Sequence, residues 1–206
     1  MLDGNWRARS AATFRAYAAN ADDYLQRHRD RSHIRPLLRS FADRLPEGPV
    51  LDLGCGPGFD AHQLRRWGHR AVGLDRTEPA LRLARTHFPG PYVCADIRGL
   101  PFRKQFAGVW ACASLLHLSR PEMSAVLSQI CAGLVPGGVL HLSVKEGVGG
   151  DWDTTYGKAN PRWFTFWSEE ELDEMLVRAG FDIRERSRSG GTRTTWLRRL
   201  AAVVGQ

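Results

Sequence analysis

The stretch Val50-Leu-Asp-Leu-Gly-Cys-Gly-Pro-Gly58 constrains this chain more than any other. Val50 to Leu53 is apolar apart from Asp52 and reads as a buried strand. Gly54, Gly56 and Gly58 then let the backbone turn sharply and approach a ligand without Cβ obstruction. A helix opens after the turn and continues through Gln63 to Trp67. The next apolar run, Ala71 to Leu74, closes on Asp75, roughly 20 residues beyond the glycine turn, where a doubly wound sheet places an acid against ribose hydroxyls.

The chain beyond residue 45 alternates strands with helices, which implies a mostly parallel sheet covered on both faces. Thr77 is placed to cap a helix that runs with Pro79 to His87. Pro91 to Ala95 is expected as a strand ending at Asp96, and Phe106 to Ala111 as another, with Leu115 to Leu118 in the loop after it. Pro121 starts a helix ending near Leu134, and Pro136-Gly-Gly138 turns into a strand from Val139 to Val144. Gly147 to Pro161 is long and rich in Gly, Asp and Thr, as functional or mobile loops are. Ser168 and Glu171 form a capping-box pattern for a helix to Ala179. Phe181 to Arg188 and Thr194 to Val204 then read as strands around Ser189-Gly-Gly191. Residues 1–45 are helical in pattern, with Ile34, Leu37, Leu38 and Phe41 at helical spacing, and are expected as an N-terminal lid over a core of residues 46–206 in a single domain.

Composition narrows the class. The 206 residues, 43% of them apolar, can bury a full core, and no apolar run reaches membrane-spanning length. The N-terminus lacks the apolar stretch of a signal peptide, and the four cysteines (Cys55, Cys94, Cys112 and Cys131) form no Cys-x-x-Cys pair. Reduced, mostly buried thiols in a cytoplasmic protein are therefore expected. The net charge of +7 gathers in Arg27 to Arg39, read as one N-terminal helix, and in Arg184 to Arg199. Scattered arginines without an RNA-binding motif read as solvated surface, so a nucleic-acid partner is not expected. The seven histidines lack metal-ligand spacing, and no metal is expected.

The glycine turn also discriminates between nucleotides. Dinucleotide folds use Gly-x-Gly-x-x-Gly with a helix N-terminus aimed at a pyrophosphate. Here the pattern is Gly-x-Gly-x-Gly, preceded by Asp52 and interrupted by Pro57. A carboxylate repels a pyrophosphate but attracts the ammonium of a methionyl group. Leu51-Asp-Leu-Gly-Cys-Gly-Pro-Gly58 with Asp75 resembles the first two motifs of the class I S-adenosylmethionine-dependent methyltransferases. Three further segments carry the likeness to the small bacterial members of that family. Tyr17 to Tyr24 looks like their tyrosine-bracketed helix, Cys94-Ala-Asp-Ile-Arg-Gly-Leu-Pro-Phe102 like their adenine-contacting motif, and Leu134-Val-Pro-Gly-Gly138 like the turn before the fifth strand. The pattern departs from the family at Phe106-Ala107, where Phe-Asp is usual.

The resemblance implies a seven-stranded, doubly wound, Rossmann-like sheet with its last strand antiparallel, and S-adenosylmethionine as cofactor. Asp75 would accept the ribose hydroxyls beside Arg76. Asp96 would accept the adenine amine, with Ile97 packed on the ring. Gly54 and Ala111 carbonyls, with Asp52, would receive the methionyl ammonium beside Cys55 and Gly56, and Tyr24 and Arg29 would close that end. His117, in Ser114-Leu-Leu-His-Leu118, is the candidate base and is expected to titrate near neutrality. Lys145 and Glu146, at the end of the fifth strand, and Tyr156 and Trp163 are candidates for acceptor contact. Methyl transfer to a small-molecule acceptor is the expected activity. The alternatives are an RNA or protein methyltransferase, a binding protein without transfer and, more distantly, a dinucleotide oxidoreductase.

Overall fold

A computed structural model describes residues 4–190 and 194–204. Three N-terminal helices, α1 (Gly4–Ala19), α2 (Ala21–Arg27) and α3 (Arg35–Ala42), precede β1 (Val50–Leu53), α4 (Phe59–Arg66), β2 (Ala71–Asp75), α5 (Glu78–His87), β3 (Tyr92–Cys94) and β4 (Phe106–Cys112). A 3₁₀ turn (Leu115–His117) and α6 (Arg120–Gly133) lead to β5 (Leu134–Lys145). The hairpin strands β6 (Gly150–Asp153) and β7 (Arg162–Thr165) follow, and α7 (Glu169–Arg178), β8 (Phe181–Gly190) and β9 (Thr195–Val203) close the order.

The main sheet has seven strands in the order β3-β2-β1-β4-β5-β9-β8. Pairing is parallel from β3 through β5, and β9 runs antiparallel between β5 and β8. The chain winds outward from β1 to β3, then returns to the other side at β4. The switch lies between β1 and β4, and ligands in such sheets bind beyond the strand C-termini at that crevice.

All four β1 residues are buried, as expected of a strand covered on both faces. Alternation of side chains divides the interior. Leu51, Leu53, Val109, Leu140 and Leu142 face a core shared with α6 and α7, while Val50, Trp110, Val139 and Leu200 face a smaller one with α3 and α4. Both α6 and α7 begin with complete capping boxes, Ser119 with Glu122 and Ser168 with Glu171, so the Ser168 signal in the sequence is realised.

Several expectations are corrected. The Arg27–Arg39 run is not one helix, because α2 ends at Arg27 and α3 starts at Arg35. Tyr17 and Tyr24 likewise sit on separate helices, α1 and α2, on either side of Asn20. Thr77 makes no side-chain cap; its backbone N–H instead donates to Asp75 Oδ1 at 2.7 Å. The segment Leu134 to Gly138 belongs to β5, with Gly137 at φ 73° and a register irregularity opposite Phe106–Gly108. The expected loop 147–161 contains β6, paired antiparallel with β7. The 3₁₀ turn replaces the loop expected at 115–118. Cys94 is exposed rather than buried, and all four cysteines are free thiols. Gly191, in the expected terminal turn, and residues 1–3 of the N-terminus lie outside the described residues.

The departure at Ala107 has a simple basis. The residue is fully buried, and a Cβ on Gly48 would come within 3.2 Å of its own. An ionised side chain there would lose hydration with no room to recover it. Gly108 is packed more tightly still. A Cβ built on it would lie 2.2 Å from Leu45 Cδ2 and 2.7 Å from Phe41 Cζ. Gly108→Ala is therefore expected to lower unfolding free energy by about 1–3 kcal/mol through overpacking. Urea denaturation would show it as a lower midpoint at unchanged slope, and an unshifted midpoint would contradict the tight α3–β4 contact.

Candidate active site

The turn after β1 is built from left-handed glycines, Gly54 at φ 76° and Gly56 at φ 51°. A Cβ on Gly54 would lie 2.4 Å from Ser114 Cβ, so the turn reaches the β4 loop only because position 54 has none. Opposite it, Ala113 adopts φ 55°, a conformation that costs a non-glycine residue energy and is retained where the surroundings enforce it. The enforcing contact is the Ala113 N–H, which donates to Ser143 Oγ at 2.8 Å. The two irregular backbones face each other across the switch crevice.

Asp75 fixes the other side of the turn. Its Oδ2 accepts the Gly56 N–H at 2.8 Å and its Oδ1 accepts the Thr77 N–H at 2.7 Å. Burial raises its pKa, against the opposing pull of those two N–H donors. Each oxygen keeps a further lone pair for a hydroxyl donor. Asp75 lines a cavity together with Gly54, Gly56, Arg76, Asp96 and Ile97, roofed by Phe14, Tyr17 and Tyr24. Asp96 is gripped by Arg98 through Nη2 at 2.6 Å and Nε at 2.9 Å, with Arg76 3.6 Å away. Burial alone would raise the Asp96 pKa, but the Arg98 hydrogen bonds and the two positive charges bring it below the usual carboxylate value. Ser114 Oγ is buried against this cavity with no hydrogen-bond partner.

A second cavity adjoins the first and shares Tyr17, Tyr24, Gly54, Pro57, Cys112 and Ala113 with it. Asp52, Cys55, Lys145, Arg162 and Phe164 also line it. Asp52 accepts the Ala61 N–H at 2.9 Å. Beside it, Asp60 accepts Trp110 Nε1 at 2.9 Å and a two-pronged contact from Arg31, whose Nε is 3.1 Å away. Burial, and then the charge of Asp60, push Asp52 well above the ordinary carboxylate range.

His117 is locked on both nitrogens. Nδ1 lies 2.7 Å from the Trp163 carbonyl and Nε2 lies 2.9 Å from Tyr17 Oη. A carbonyl only accepts, so Nδ1 carries the proton and the Nε2 lone pair accepts from Tyr17. Arg162 Nη1 donates to the same hydroxyl at 3.2 Å. The expectation of a near-neutral titration is corrected, because burial pushes the imidazole down to about 4 despite the Trp163 carbonyl.

Other residues singled out in the sequence lie elsewhere. Arg29 is exposed and bonds Gln26 Oε1 at 3.3 Å, whereas the guanidinium in the second cavity is that of Arg31. Ala111 is fully buried within β4, and Cys112 and Ala113 present the strand end to the cavities. Glu146 is paired with Arg188 at 2.7 Å. Tyr156 lines neither cavity; the Arg162 guanidinium lies over its ring, 4.4 Å from the centroid. The Trp163 ring lies under Arg9 at 3.8 Å, so that residue reaches the site through its carbonyl. Sequence reasoning missed Asp60, Arg31 and Arg162. Only Asp60 carried a local signal, an acid in the first turn of α4 directly after the glycines.

Residues 50–138 match the family model of a methyltransferase domain. The matched segment runs from β1 into β5 and is similar to methyltransferase domains. It is 32% identical over 147 residues to a malonyl-[acyl-carrier protein] O-methyltransferase of Pseudescherichia vulneris, covering 64% of this chain and 57% of the relative. It is 36% identical over 127 residues to a carboxy-S-adenosyl-L-methionine synthase of Glaesserella parasuis, covering 55% and 52%. The chain thus spans little more than half the length of these curated relatives. Among solved structures, the Burkholderia thailandensis 1,6-didemethyltoxoflavin-N1-methyltransferase, crystallised with 1,6-didemethyltoxoflavin and S-adenosylhomocysteine, superposes with a TM-score of 0.79. That match has 23% identity and covers 96% of this chain and 90% of the other, and it establishes a shared fold over nearly the whole molecule.

The buried histidines of the domain couple folding to pH. His141, stacked on Trp110 at 3.9 Å, is pushed down by burial to about 3. A histidine that is neutral when folded but titrates near 6.5 when unfolded contributes stability that is fully present above 6.5 and lost as pH falls toward the folded value. His117 alone is expected to remove about 2–3 kcal/mol between pH 7.5 and 4.5. Urea unfolding of wild type and His117→Asn at the two pH values measures this as a shallower pH dependence in the variant. Equal dependence would show that His117 is not neutral in the folded protein.

Proposed function

We propose that the protein transfers the methyl group of S-adenosylmethionine to a small-molecule acceptor, the nucleoside end lying in the first cavity and the acceptor in the second. The reading rests on Asp75, whose carboxylate is anchored to the glycine turn yet keeps outward lone pairs for two ribose hydroxyls. The remaining donors suit the group. Asp96 retains acceptor capacity for an adenine amine, and Ile97 supplies an apolar wall. The unpartnered Ser114 Oγ offers a polar contact where the two cavities meet. Asp52 and the Gly54 carbonyl lie on the methionyl side. The bound cofactor supplies an electrophilic methyl on a good leaving group, so the chain's work is to orient and desolvate.

No free base is needed in this arrangement. His117 holds Tyr17 in place through its Nε2 lone pair and acts as a positioning residue, and the acceptor arrives with its own lone pair available. The N-terminal segment acts as the lid, since α1 and α2 roof both cavities through Tyr17 and Tyr24. A nucleic-acid acceptor is disfavoured because much of the arginine surface is neutralised, as in Arg44–Glu185, Arg120–Glu171, Arg186–Asp173 and Arg188–Glu146. Free cysteines accord with a cytoplasmic location. Among the described residues no helix is long and apolar enough to cross a membrane. The synthase among the relatives keeps a second reading open, in which the domain binds the cofactor for chemistry other than methyl transfer.

Three measurements test these statements. Incubation with methyl-labelled S-adenosylmethionine and a library of small acceptors is expected to label one compound class and leave bulk RNA unlabelled. Cofactor binding with no labelled product would favour the second reading, and labelled RNA alone would overturn the small-molecule acceptor. Asp75→Ala is expected to weaken calorimetric S-adenosylmethionine affinity by about 1.5–3 kcal/mol, and unchanged affinity in a folded variant would refute the ribose contact. Hydrogen exchange of residues 17–29 is expected to slow on adding S-adenosylhomocysteine; identical rates would remove the lid.

A further inference from the structure

The second cavity holds two cations that no carboxylate among the described residues neutralises. Its other guanidinium groups have partners, Arg31 on Asp60 and Arg162 on Asp153. Among the described residues Lys145 has no acid bonded to it. Its Nζ sits 3.6 Å over the Phe164 ring, and the carboxylate whose charge it feels, Asp153, is already bonded to Arg162. Among the described residues Arg198 bonds the neutral Ser189 hydroxyl and no acid. Both are partly buried, and burial pulls the pKa of each downward, the mark of a cation held out of water without compensation.

Register places the two residues on one face of the sheet. Lys145 lies opposite Trp196 and Ser143 opposite Arg198 in the β5–β9 pairing, and Cys112 lies beside Ser143 in β4. Alternate residues share a face, so Cys112, Ser143, Lys145, Trp196 and Arg198 form one patch at the cavity floor. Phe164 and Phe59 add flat apolar walls. Lys145 and Arg198 line the second cavity and not the first, which separates them from Asp75 and Asp96.

Resting on the methyltransferase reading, we infer that the acceptor is an aromatic organic anion whose acid group docks against Lys145 and Arg198 while its ring lies between the aromatic walls. The two cations select the charged end, and the junction at Tyr17 and Cys112 receives the end to be methylated. Pairing of a partly desolvated ammonium or guanidinium with a carboxylate is stronger than a neutral hydrogen bond. It also discriminates against an uncharged isostere, which leaves both cations unpaired.

Calorimetric titration with benzoate and with benzamide, each with and without saturating S-adenosylhomocysteine, tests this. Benzoate is expected to bind at least about ten-fold more tightly than benzamide, the scale of one charge-assisted hydrogen bond. Lys145→Gln and Arg198→Gln are each expected to erase most of that preference, and Lys145→Arg to keep it, with S-adenosylhomocysteine affinity unchanged in all three. Thermal melting confirms that the variants fold, and the rescue by Lys145→Arg excludes a merely structural effect. Failure of benzoate to bind, or equal binding of benzamide, overturns the inference. So does loss of S-adenosylhomocysteine affinity in Lys145→Gln, since the cation would then serve the cofactor. Absence of S-adenosylhomocysteine binding to the wild type would instead defeat the methyltransferase reading, a separate result.

Discussion

Two carboxylates, Asp52 and Asp60, are buried side by side at the C-terminal end of β1, and the arrangement of the site hangs on how they are satisfied. Two buried negative charges at close range repel, and neither is tolerated without partners. The protein resolves this unequally. Asp60 takes the Arg31 guanidinium and the Trp110 indole N–H, while Asp52 receives one backbone N–H and is driven toward its protonated form. Arg31 lies in the link between α2 and α3, so the charge requirement of α4 draws the N-terminal segment across the sheet. The roof over both cavities is held by electrostatics as much as by apolar contact.

The same economy recurs around Tyr17. Its hydroxyl accepts from Arg162 on β7 and donates to His117 after β4, while Thr13 Oγ1 on the same helix accepts the Trp163 N–H at 2.8 Å. Two elements distant in sequence, β7 and the 3₁₀ turn, meet on one helix. A histidine in this setting serves as a hydrogen-bond acceptor with a fixed tautomer, and its burial removes it from titration in the neutral range. The network gives α1 a defined seat on the β6–β7 hairpin.

The fold was legible because its signals are local and repeated. The glycine turn, the alternation of strand and helix and the Ser168 capping box each depend on residues within a few positions of one another, and the parallel sheet follows from them. The place of Asp75 at the end of β2 was legible for the same reason, since spacing from the turn specifies it, whereas its two backbone N–H anchors were not. What escaped notice was set by contacts between distant segments. Nothing near Arg31 distinguishes it from Arg29, and only the position of Asp60 in three dimensions does so. The hairpin within residues 147–165 was hidden by Gly- and Asp-rich composition, and its pairing is supplied by the partner strand. The chemical state of His117 was misjudged because burial, which sequence position does not reveal, outweighs the intrinsic value of the side chain.

The register of β5 against β9 has a consequence for how such a domain can diversify. The residues that line the first cavity lie between Ser10 and Leu118, whereas Ser143, Lys145, Arg162, Phe164, Trp196 and Arg198 of the second all come from the last third of the chain. One contiguous segment thus supplies the part of the second cavity that lies farthest from Asp75 in the sequence. Exchange of that segment from β5 onward would replace the β5–β9 part of the floor and the hairpin wall while leaving the glycine turn, Asp75 and Asp96 untouched. A lineage built this way can reshape one side of a chamber by recombination at one junction.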